Sequence, residues 1–171
     1  MIDSIDTKIL TILQSEARTS NAEIARQVGL TASATLERVR KLEDRGFIKG
    51  YEAKLCPQCL DCTTLAYVFV RAEEKTGLQY TGDRLAEIPS VLEVHHVAGE
   101  DCYLAKVRVE STEALGRLLR EEFGSIPTVV STRTTIVLET IKETTKLPIG
   151  DDETDAKPEL ASEPVHAEVD A

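Results

Sequence analysis

The sequence places three cysteines at equal spacing in one short segment. Cys56, Cys59 and Cys62 are each separated by two residues, in the run CPQCLDC. This is chelate spacing for zinc or for an iron–sulfur centre. Such sites normally need four ligands, and the remaining cysteine, Cys102, is 40 residues further along the chain. The motif leaves three interpretations open: incidental thiols in a linker, a metal site completed by another residue or subunit, and a thiol-redox switch.

Two adjacent histidines also have ligand chemistry. His95 and His96 fall in a predicted strand, where successive side chains point to opposite faces. The two rings therefore cannot bind one metal ion in regular geometry, and we expect each to have a structural role. The sequence has neither a Ser/His/Asp nor a Cys/His arrangement for nucleophilic catalysis, and it has no glycine-rich phosphate loop. We therefore predict that the protein is not an enzyme and uses no cofactor.

A further group of residues has the chemistry of DNA contact. Arg38 and Lys41 are one turn apart on the polar face of a predicted helix, whose apolar face carries Leu36, Val39 and Leu42. At that spacing the two cations can reach a base edge and a phosphate of the same groove. Hydroxyls at the helix start and basic residues on its flanks add contacts to phosphates. The predicted DNA-binding residues are Thr31, Ser33, Thr35, Arg38, Arg40, Lys41, Arg45 and Lys49.

The net charge of −10 argues against a nucleic-acid binder only as an average over the chain. Residues 1–50 contain 8 basic and 7 acidic residues, whereas residues 148–171 contain 1 and 8. Over residues 31–50 there are 5 basic and 3 acidic residues, a net charge of +2. This balance also fits a solvated helix face with ion pairs such as Glu37 with Lys41. So weak a patch needs two or more copies on one DNA for tight binding.

Three predicted helices position these residues. Asp3 caps the first helix, and Asp6 stands at its third position. The second helix begins with the capping-box pattern SNAE at residues 20–23 and ends at Gly29. A short helix, a glycine turn and a longer helix are typical of a helix-turn-helix. The alternating residues of 47–55 then predict a two-part extended wing.

After residue 62 the hydrophobic period changes to that of strands alternating with helices. The predicted elements are, in chain order, a strand at 65–70 buried on both faces, a helix at 78–88, strands at 91–97 and 102–109, a helix capped by Ser111, and a strand at 129–140. The order βαββαβ is the split ferredoxin-like arrangement. The fold class is therefore α+β, with an N-terminal winged helix-turn-helix domain and a C-terminal ferredoxin-like domain.

These elements divide the chain into four predicted regions. They are the winged helix-turn-helix domain at 1–55, a hinge linker at 56–62, the ferredoxin-like domain at 63–147 and an acidic disordered tail at 148–171. No apolar run approaches the ~20 residues of a membrane span. The first residues show no secretory signal. We therefore expect a cytoplasmic location, in which the cysteines are reduced thiols or ligands.

Four stretches occur in an order and spacing that point to a known family. They are IDTKILTILQSEARTSNAEIARQVGLT, LERVRKLEDRGFIKGYEAKL, GEDCYLAKVRV and TRTTIVLETIK, within residues 2–147. Together they resemble the Lrp/AsnC family, also called feast/famine regulators. The resemblance implies a DNA-binding winged helix-turn-helix joined to a ferredoxin-like domain. It also implies that the second domain dimerises, often assembles into larger even-numbered rings, and binds a small effector, commonly an amino acid, between subunits.

The resemblance also indicates where an effector binds. The family's usual Gly-x-x-Asp-Tyr-Leu-Leu reads GEDCYLA at residues 99–105, so Cys102 stands at the family's acidic position. That position is implicated in the effector response of the family. By the family pattern, the predicted effector-binding residues are Gly99, Glu100, Asp101, Cys102, Thr134, Thr135 and Ile136.

We therefore predict a sequence-specific DNA-binding transcriptional regulator that is modulated by a small effector such as an amino acid. Its partners are double-stranded DNA, the effector and further copies of the chain, as a homodimer that forms a tetramer or an octamer. Two alternatives stay open. Sirohaem decarboxylases resemble the family in both domains, and His95 or His96 would then serve the tetrapyrrole. A metal- or thiol-responsive regulator would instead use Cys56, Cys59 and Cys62.

Overall fold

A computed structural model of the chain describes residues 2–74 and 80–149. By their internal contacts the residues form two units, each with its own hydrophobic core. The first unit contains the chain up to Glu52 together with the segment that begins at Thr144. The second unit contains Ala53–Glu143.

Two predictions lie partly outside the described residues. They are the acidic tail from residue 150 onward and the first two residues of the helix predicted at 78–88. Among the helices within the described ranges, none is long and apolar enough to cross a membrane.

The first unit consists of three helices whose N-termini have side-chain caps. They are α1 (Ser4–Ser15), α2 (Asn21–Val28) and α3 (Ala32–Asp44). Asp3 begins α1 as predicted: its Oδ1 accepts the backbone N–H of Asp6 at 2.8 Å, and the Asp6 Oδ2 accepts the backbone N–H of Asp3 at 3.3 Å. This reciprocal pair satisfies two backbone donors that the helix leaves unpaired.

The turn between α2 and α3 follows from its residue types. Ser20 caps α2, because its hydroxyl accepts the backbone N–H of Glu23 at 3.2 Å. Gly29 ends α2 with a φ of 74°, a left-handed conformation that favours glycine. Thr31 then caps α3 by accepting the backbone N–H of Ala34 at 3.2 Å. The predicted helix-turn-helix is confirmed.

One face of each helix contributes to the core of the first unit. The buried apolar residues of this core include Ile9, Leu10, Leu13, Ile24, Val39 and Leu42. On α3 the inner face consists of Thr35, Val39 and Leu42, while Leu36 is only partly buried. The prediction that Leu36 is one of the inward residues is therefore corrected: the buried face of α3 is centred about one residue earlier, on Thr35. Hydropathy did not identify Thr35 because threonine is polar.

Residues 47–55, all of which the structure describes, form no strand. The chain leaves α3 through Gly46, whose φ of 72° is also left-handed. Ile48 packs on the core of the first unit, and the Tyr51 hydroxyl donates to Glu43 Oε1 at 2.9 Å. The predicted wing thus lacks paired strands within the described chain, because no described segment lies alongside to exchange backbone hydrogen bonds.

The second unit is a four-stranded antiparallel sheet with two helices. Its elements are β1 (Thr64–Ala72), α4 (Tyr80–Ala86), β2 (Val91–His96), β3 (Tyr103–Val109), α5 (Thr112–Glu121) and β4 (Val129–Ile136). The strands lie in the order β2-β3-β1-β4. The predicted βαββαβ order is confirmed. β4 ends at Ile136 rather than at residue 140. The Val137 backbone N–H still donates to Leu65 O at 2.9 Å, but the register places residues 139–140 beyond the start of β1 at Thr64.

The two faces of this sheet differ in burial. Val68 and Val70 of β1 are fully buried in one cluster with Leu115 of α5. Tyr67 and Phe69 on the other face are only half-buried. The prediction that β1 is buried on both faces is therefore corrected, because in the part of the chain that the structure describes both helices pack on the same side.

Candidate nucleic-acid interface and effector loop

The exposed face of α3 carries most of the residues predicted to contact DNA. Ser33, Arg40 and Lys41 on the helix are exposed, as are Thr31 at its start and Lys49 beyond its end. The helix is fixed from behind by its buried face and from its start by the threonine cap. The surface thus presents hydroxyls at one end of the helix and amine and guanidinium groups further along.

Arg38 connects α3 to the start of α1. Its Nη1 donates to Asp3 Oδ2 at 2.8 Å and to Asp6 Oδ1 at 2.7 Å. These bonds raise the pKa of Arg38, and the backbone N–H of Asp6 followed by Arg38 lowers the pKa of Asp3. Arg38 therefore holds α3 against the start of α1. The Arg38 side chain keeps 32% of its surface exposed, and no described residue accepts a hydrogen bond from its Nη2 or Nε.

Lys41 pairs with a residue of its own helix. Its Nζ donates to Glu37 Oε1 at 2.6 Å, and the hydrogen bond lowers the pKa of Glu37. Both side chains are about two-thirds exposed, at 65% and 69%. An i,i+4 pair this exposed contributes little to stability, because water and salt screen it. Lys41 can therefore exchange Glu37 for a phosphate at small cost.

The three hydroxyl residues at the start of α3 do not share one environment. Thr31 and Ser33 are exposed, and their hydroxyl oxygens lie 3.2 Å apart. Thr35 is fully buried, and its Oγ1 has no hydrogen-bond partner among the described residues. The prediction that Thr35 contacts DNA is corrected, because a side chain on the inner face of the helix cannot reach a groove on the outer face.

The last basic residue near α3 packs on an aromatic ring. The Arg45 guanidinium lies 4.8 Å from the ring centroid of Phe47, within cation–π range. Arg38, Lys41 and Arg45 are among the residues that line a surface cavity of about 260 Å³. Asp6 also lines this cavity and was not predicted as part of the surface. Its role as a capping residue was legible from the sequence, but its pairing with a residue 32 positions away was not.

The predicted effector residues lie where the β2–β3 loop meets the edge strand. Asp101 Oδ2 accepts from Arg133 Nη2 at 2.9 Å, and the same guanidinium lies 4.0 Å from the ring centroid of Phe69. The Cys102 backbone N–H donates to Val70 O at 2.9 Å, which fixes the loop on β1. Arg133 was not predicted for this site. It is the residue that connects the loop to the strand of Thr134, Thr135 and Ile136, while Gly99 and Glu100 are exposed in the loop.

The structure brings two of the three linker cysteines together. The sulfur atoms of Cys56 and Cys59 lie 2.6 Å apart, and both side chains are exposed. Cys62 is partly buried and does not join them. Within residues 2–74 and 80–149, no group of three or more His, Cys, Asp or Glu side chains is arranged to hold a metal ion. The chelating interpretation of all three cysteines therefore has no preformed site in this geometry.

The two histidines have separate partners on the sheet. His95 Nε2 lies 3.2 Å from Glu93 Oε2, and Glu93 also accepts from Lys106 Nζ at 3.0 Å. The His96 ring centroid is 5.1 Å from that of Tyr103. The two rings thus make separate contacts on β2, and a structural role for each stays a prediction.

Comparison with protein families agrees with this geometry in both units. Residues 2–49 match a winged helix-turn-helix DNA-binding family, and residues 65–147 match the Lrp/AsnC ligand binding domain. The first match contains all three helices of the first unit. The second begins in β1 and runs past β4, so it contains all of the sheet except Thr64.

Whole-chain relatives match over nearly the same residues. The leucine-responsive regulatory protein of Escherichia coli is 37% identical over 150 residues, which cover 86% of this chain and 92% of that protein. An HTH-type transcriptional regulator of Pyrococcus horikoshii is 39% identical over 149 residues, covering 86% and 97%. A transcriptional regulator of Neisseria meningitidis, solved as a complex with L-methionine, superposes with a TM-score of 0.82 at 30% identity, covering 86% and 97%.

Proposed function

The chain belongs to the Lrp/AsnC family of DNA-binding transcriptional regulators, and on that premise we propose that α3 reads double-stranded DNA while an amino acid bound at the β2–β3 loop modulates the protein. The relatives are named as transcriptional regulators, so the chain is a regulator rather than a tetrapyrrole-processing enzyme. The observation that carries the DNA assignment is the exposed cationic face of α3, set on a helix that caps and buried residues hold in place.

The contacts divide by chemistry. Ser33, Arg40 and Lys49 are placed to hydrogen-bond phosphates, which fixes the position of the helix without reading sequence. Arg38 and Lys41 lie one turn apart, so Arg38 can reach a base edge while Lys41 binds a phosphate of the same groove. Thr31 and Arg45 flank them. Sequence preference is therefore expected to depend on Arg38, and overall affinity on Lys41 and the others.

Tight binding requires more than one copy of the chain. A net charge of +2 over residues 31–50 releases few counterions from a single site, whereas linked sites multiply the affinity. The half-buried Tyr67 and Phe69 give the open face of the sheet an apolar surface suited to a second copy. We propose a homodimer built on this unit, assembled further into a tetramer or octamer.

The effector loop offers both charges that an α-amino acid needs. Arg133 suits the α-carboxylate, and Asp101 with Glu100 suits the α-ammonium group. The Asp101–Arg133 pair is part-exposed, so a zwitterion can replace an existing ion pair rather than face unpaired charges. The L-methionine complex of the Neisseria meningitidis regulator supports an amino acid as the ligand class. By binding one arrangement of subunits better than another, the ligand shifts the population that binds DNA.

The DNA assignment is tested with one substitution on α3 and one elsewhere. Fluorescence anisotropy with a fragment of the protein's own upstream DNA compares the wild type with Lys41→Ala and with Arg117→Ala, an exposed residue of α5 paired with Glu110. We expect Lys41→Ala to weaken binding about tenfold and to lower the salt slope by about 1 for each copy on the DNA. Arg117→Ala should bind as the wild type does. Equal affinities of all three proteins would contradict the proposal.

The effector assignment is tested by thermal unfolding in the presence of each of the common amino acids. A ligand at 100 times its dissociation constant adds about 2.7 kcal/mol of stability and raises the melting temperature. We expect at least one amino acid to do so in the wild type and to fail in Arg133→Gln, with Arg117→Gln as the matched control. If no amino acid shifts the transition of the wild type, the effector assignment is wrong, although the DNA assignment is unaffected.

A further inference from the structure

The short turn that contains Cys56 and Cys59 is built as one helical turn. Residues Gln58–Leu60 form a 3-10 helix, and the backbone N–H of Cys59 donates to Cys56 O at 3.2 Å. Pro57, with a φ of −64°, favours this turn, because its ring fixes the backbone near that angle. The two cysteines are therefore held on the same side of one turn. The two sulfurs lie 2.6 Å apart, in direct contact and about 0.6 Å farther apart than in a disulfide bond.

The two thiols have different surroundings. The Cys56 sulfur accepts the backbone N–H of Cys59 at 3.4 Å and also accepts the Cys59 thiol. These donors lower the pKa of Cys56, with the Cys59 thiol as the larger cause, and the same bond raises the pKa of Cys59. Hydrogen bonds to the charged form of a thiol are the usual means of making it a nucleophile. Cys56 is thus the better nucleophile of an exposed pair, and Cys59 is positioned to follow.

From this geometry we propose that Cys56 and Cys59 form a redox-active dithiol site that exchanges with low-molecular-weight disulfides. The Cys56 thiolate attacks one sulfur of the small disulfide, which forms a mixed disulfide and releases one small thiol. Cys59 then loses its proton to water and attacks the Cys56 sulfur, which releases the second small thiol. The sum is one protein dithiol plus one small disulfide giving one protein disulfide plus two small thiols, so two electrons pass to the oxidant.

The remaining cysteines do not share this chemistry. Cys62 is partly buried outside the pair, and the Cys102 thiol donates to Ala72 O at 3.4 Å. A metal centre would need ligands beyond the pair, and the described residues supply no third one in place. The pair alone is complete for a two-electron reaction, which needs two sulfurs and an oxidant. This site requires neither DNA nor an amino-acid effector. The oxidation state of the Cys56–Cys59 pair would therefore change independently of both ligands.

The test uses the full chain, reduced, freed of reductant and equilibrated in buffers of increasing glutathione disulfide to glutathione ratio. Acid quenching, alkylation and peptide mass spectrometry then locate the products. We expect a Cys56–Cys59 disulfide in the wild type, in Cys62→Ser and in Cys102→Ser. In Cys59→Ser, Cys56 should accumulate a stable mixed disulfide with glutathione, since the resolving thiol is missing. Cys56→Ser should react at least about tenfold more slowly at Cys59.

Three results would overturn the site. The first is the absence of a Cys56–Cys59 disulfide at the most oxidising ratio. The second is equal reaction rates of Cys56→Ser and Cys59→Ser with glutathione disulfide. The third is one zinc ion per chain that remains after desalting and blocks both thiols, which would make the motif a metal site. Because Cys56 and Cys59 are exposed and Cys62 and Cys102 are only partly buried, the serine variants are expected to keep the wild-type circular dichroism spectrum.

Discussion

At the residue level, some polar side chains of α3 stabilise the fold and another destabilises it. The Thr31 hydroxyl satisfies a backbone donor at the helix start, and Arg38 joins the helix to Asp6. Thr35, by contrast, places a hydroxyl in the core without a partner among the described residues. A buried hydroxyl that has lost water and gained no hydrogen bond destabilises the fold by about 1–3 kcal/mol. The hydroxyls of Thr31 and Thr35, four residues apart, therefore make opposite contributions to the free energy of unfolding.

Replacing each threonine with valine, which has the same shape, separates these contributions. Thr35→Val should leave the free energy of unfolding unchanged or raise it by about 1 kcal/mol, because it removes the unpaired hydroxyl. Thr31→Val should lower it by about 1 kcal/mol, because it removes the cap. Urea unfolding followed by circular dichroism measures both. A loss of stability in Thr35→Val as large as that in Thr31→Val would show that the Thr35 hydroxyl is satisfied.

At the element level, what could be predicted depends on how local its cause is. The starts of α1, α2 and α3 were legible because Asp3, Ser20 and Thr31 act on backbone groups three residues away. The Arg38–Asp6 pair could not be found in this way, since its partners are 32 residues apart. The unpaired wing, the early end of β4 and the half-buried face of β1 share one reason. Each of these features depends on which segment of the chain packs beside it, and hydropathy alone does not predict that neighbour.

The open face of the sheet contains a charged group that makes the second unit sensitive to acid. Lys106 on β3 is buried to all but 11% of its side chain and donates to both Glu93 and Glu143. These bonds lower the pKa of both carboxyls, and the bond to Glu143 is the main cause that raises the pKa of Lys106. The folded carboxyls therefore stay charged at a pH at which those of the unfolded chain have already taken up protons.

Stability of the wild type should fall as the pH drops below the ordinary glutamate value of about 4.5, through the lower folded pKa values of Glu93 and Glu143. Lys106→Met should make this fall shallower, because the two carboxyls return to their usual range. At neutral pH it should change the stability by less than about 1 kcal/mol, since both glutamates are about half exposed. Urea midpoints from pH 3 to 7 test this, with the exposed Lys54→Met as control. Identical acid profiles for both variants would exclude the cluster as the cause.

At the level of the whole molecule, the charge is divided between regions of opposite sign. The chain has a net charge of −10, yet the first 50 residues carry one more basic than acidic residue, and the helix that we propose to contact DNA lies within them. Net charge therefore describes solubility and long-range repulsion, while the proposed DNA contact depends on the local surface of α3. A weakly basic helix used in several copies gives an affinity that depends steeply on salt and on assembly.

We propose that copies of this chain bind DNA through phosphates and bases contacted by α3. The decisive measurement is the affinity of the assembled wild-type protein for its own upstream DNA between 50 and 200 mM salt. If two copies each neutralise about three phosphates, the logarithm of the association constant should fall linearly with the logarithm of salt with a slope of about −5. Failure to bind any upstream fragment at about 50 mM salt, where phosphate attraction is strong, would contradict the account.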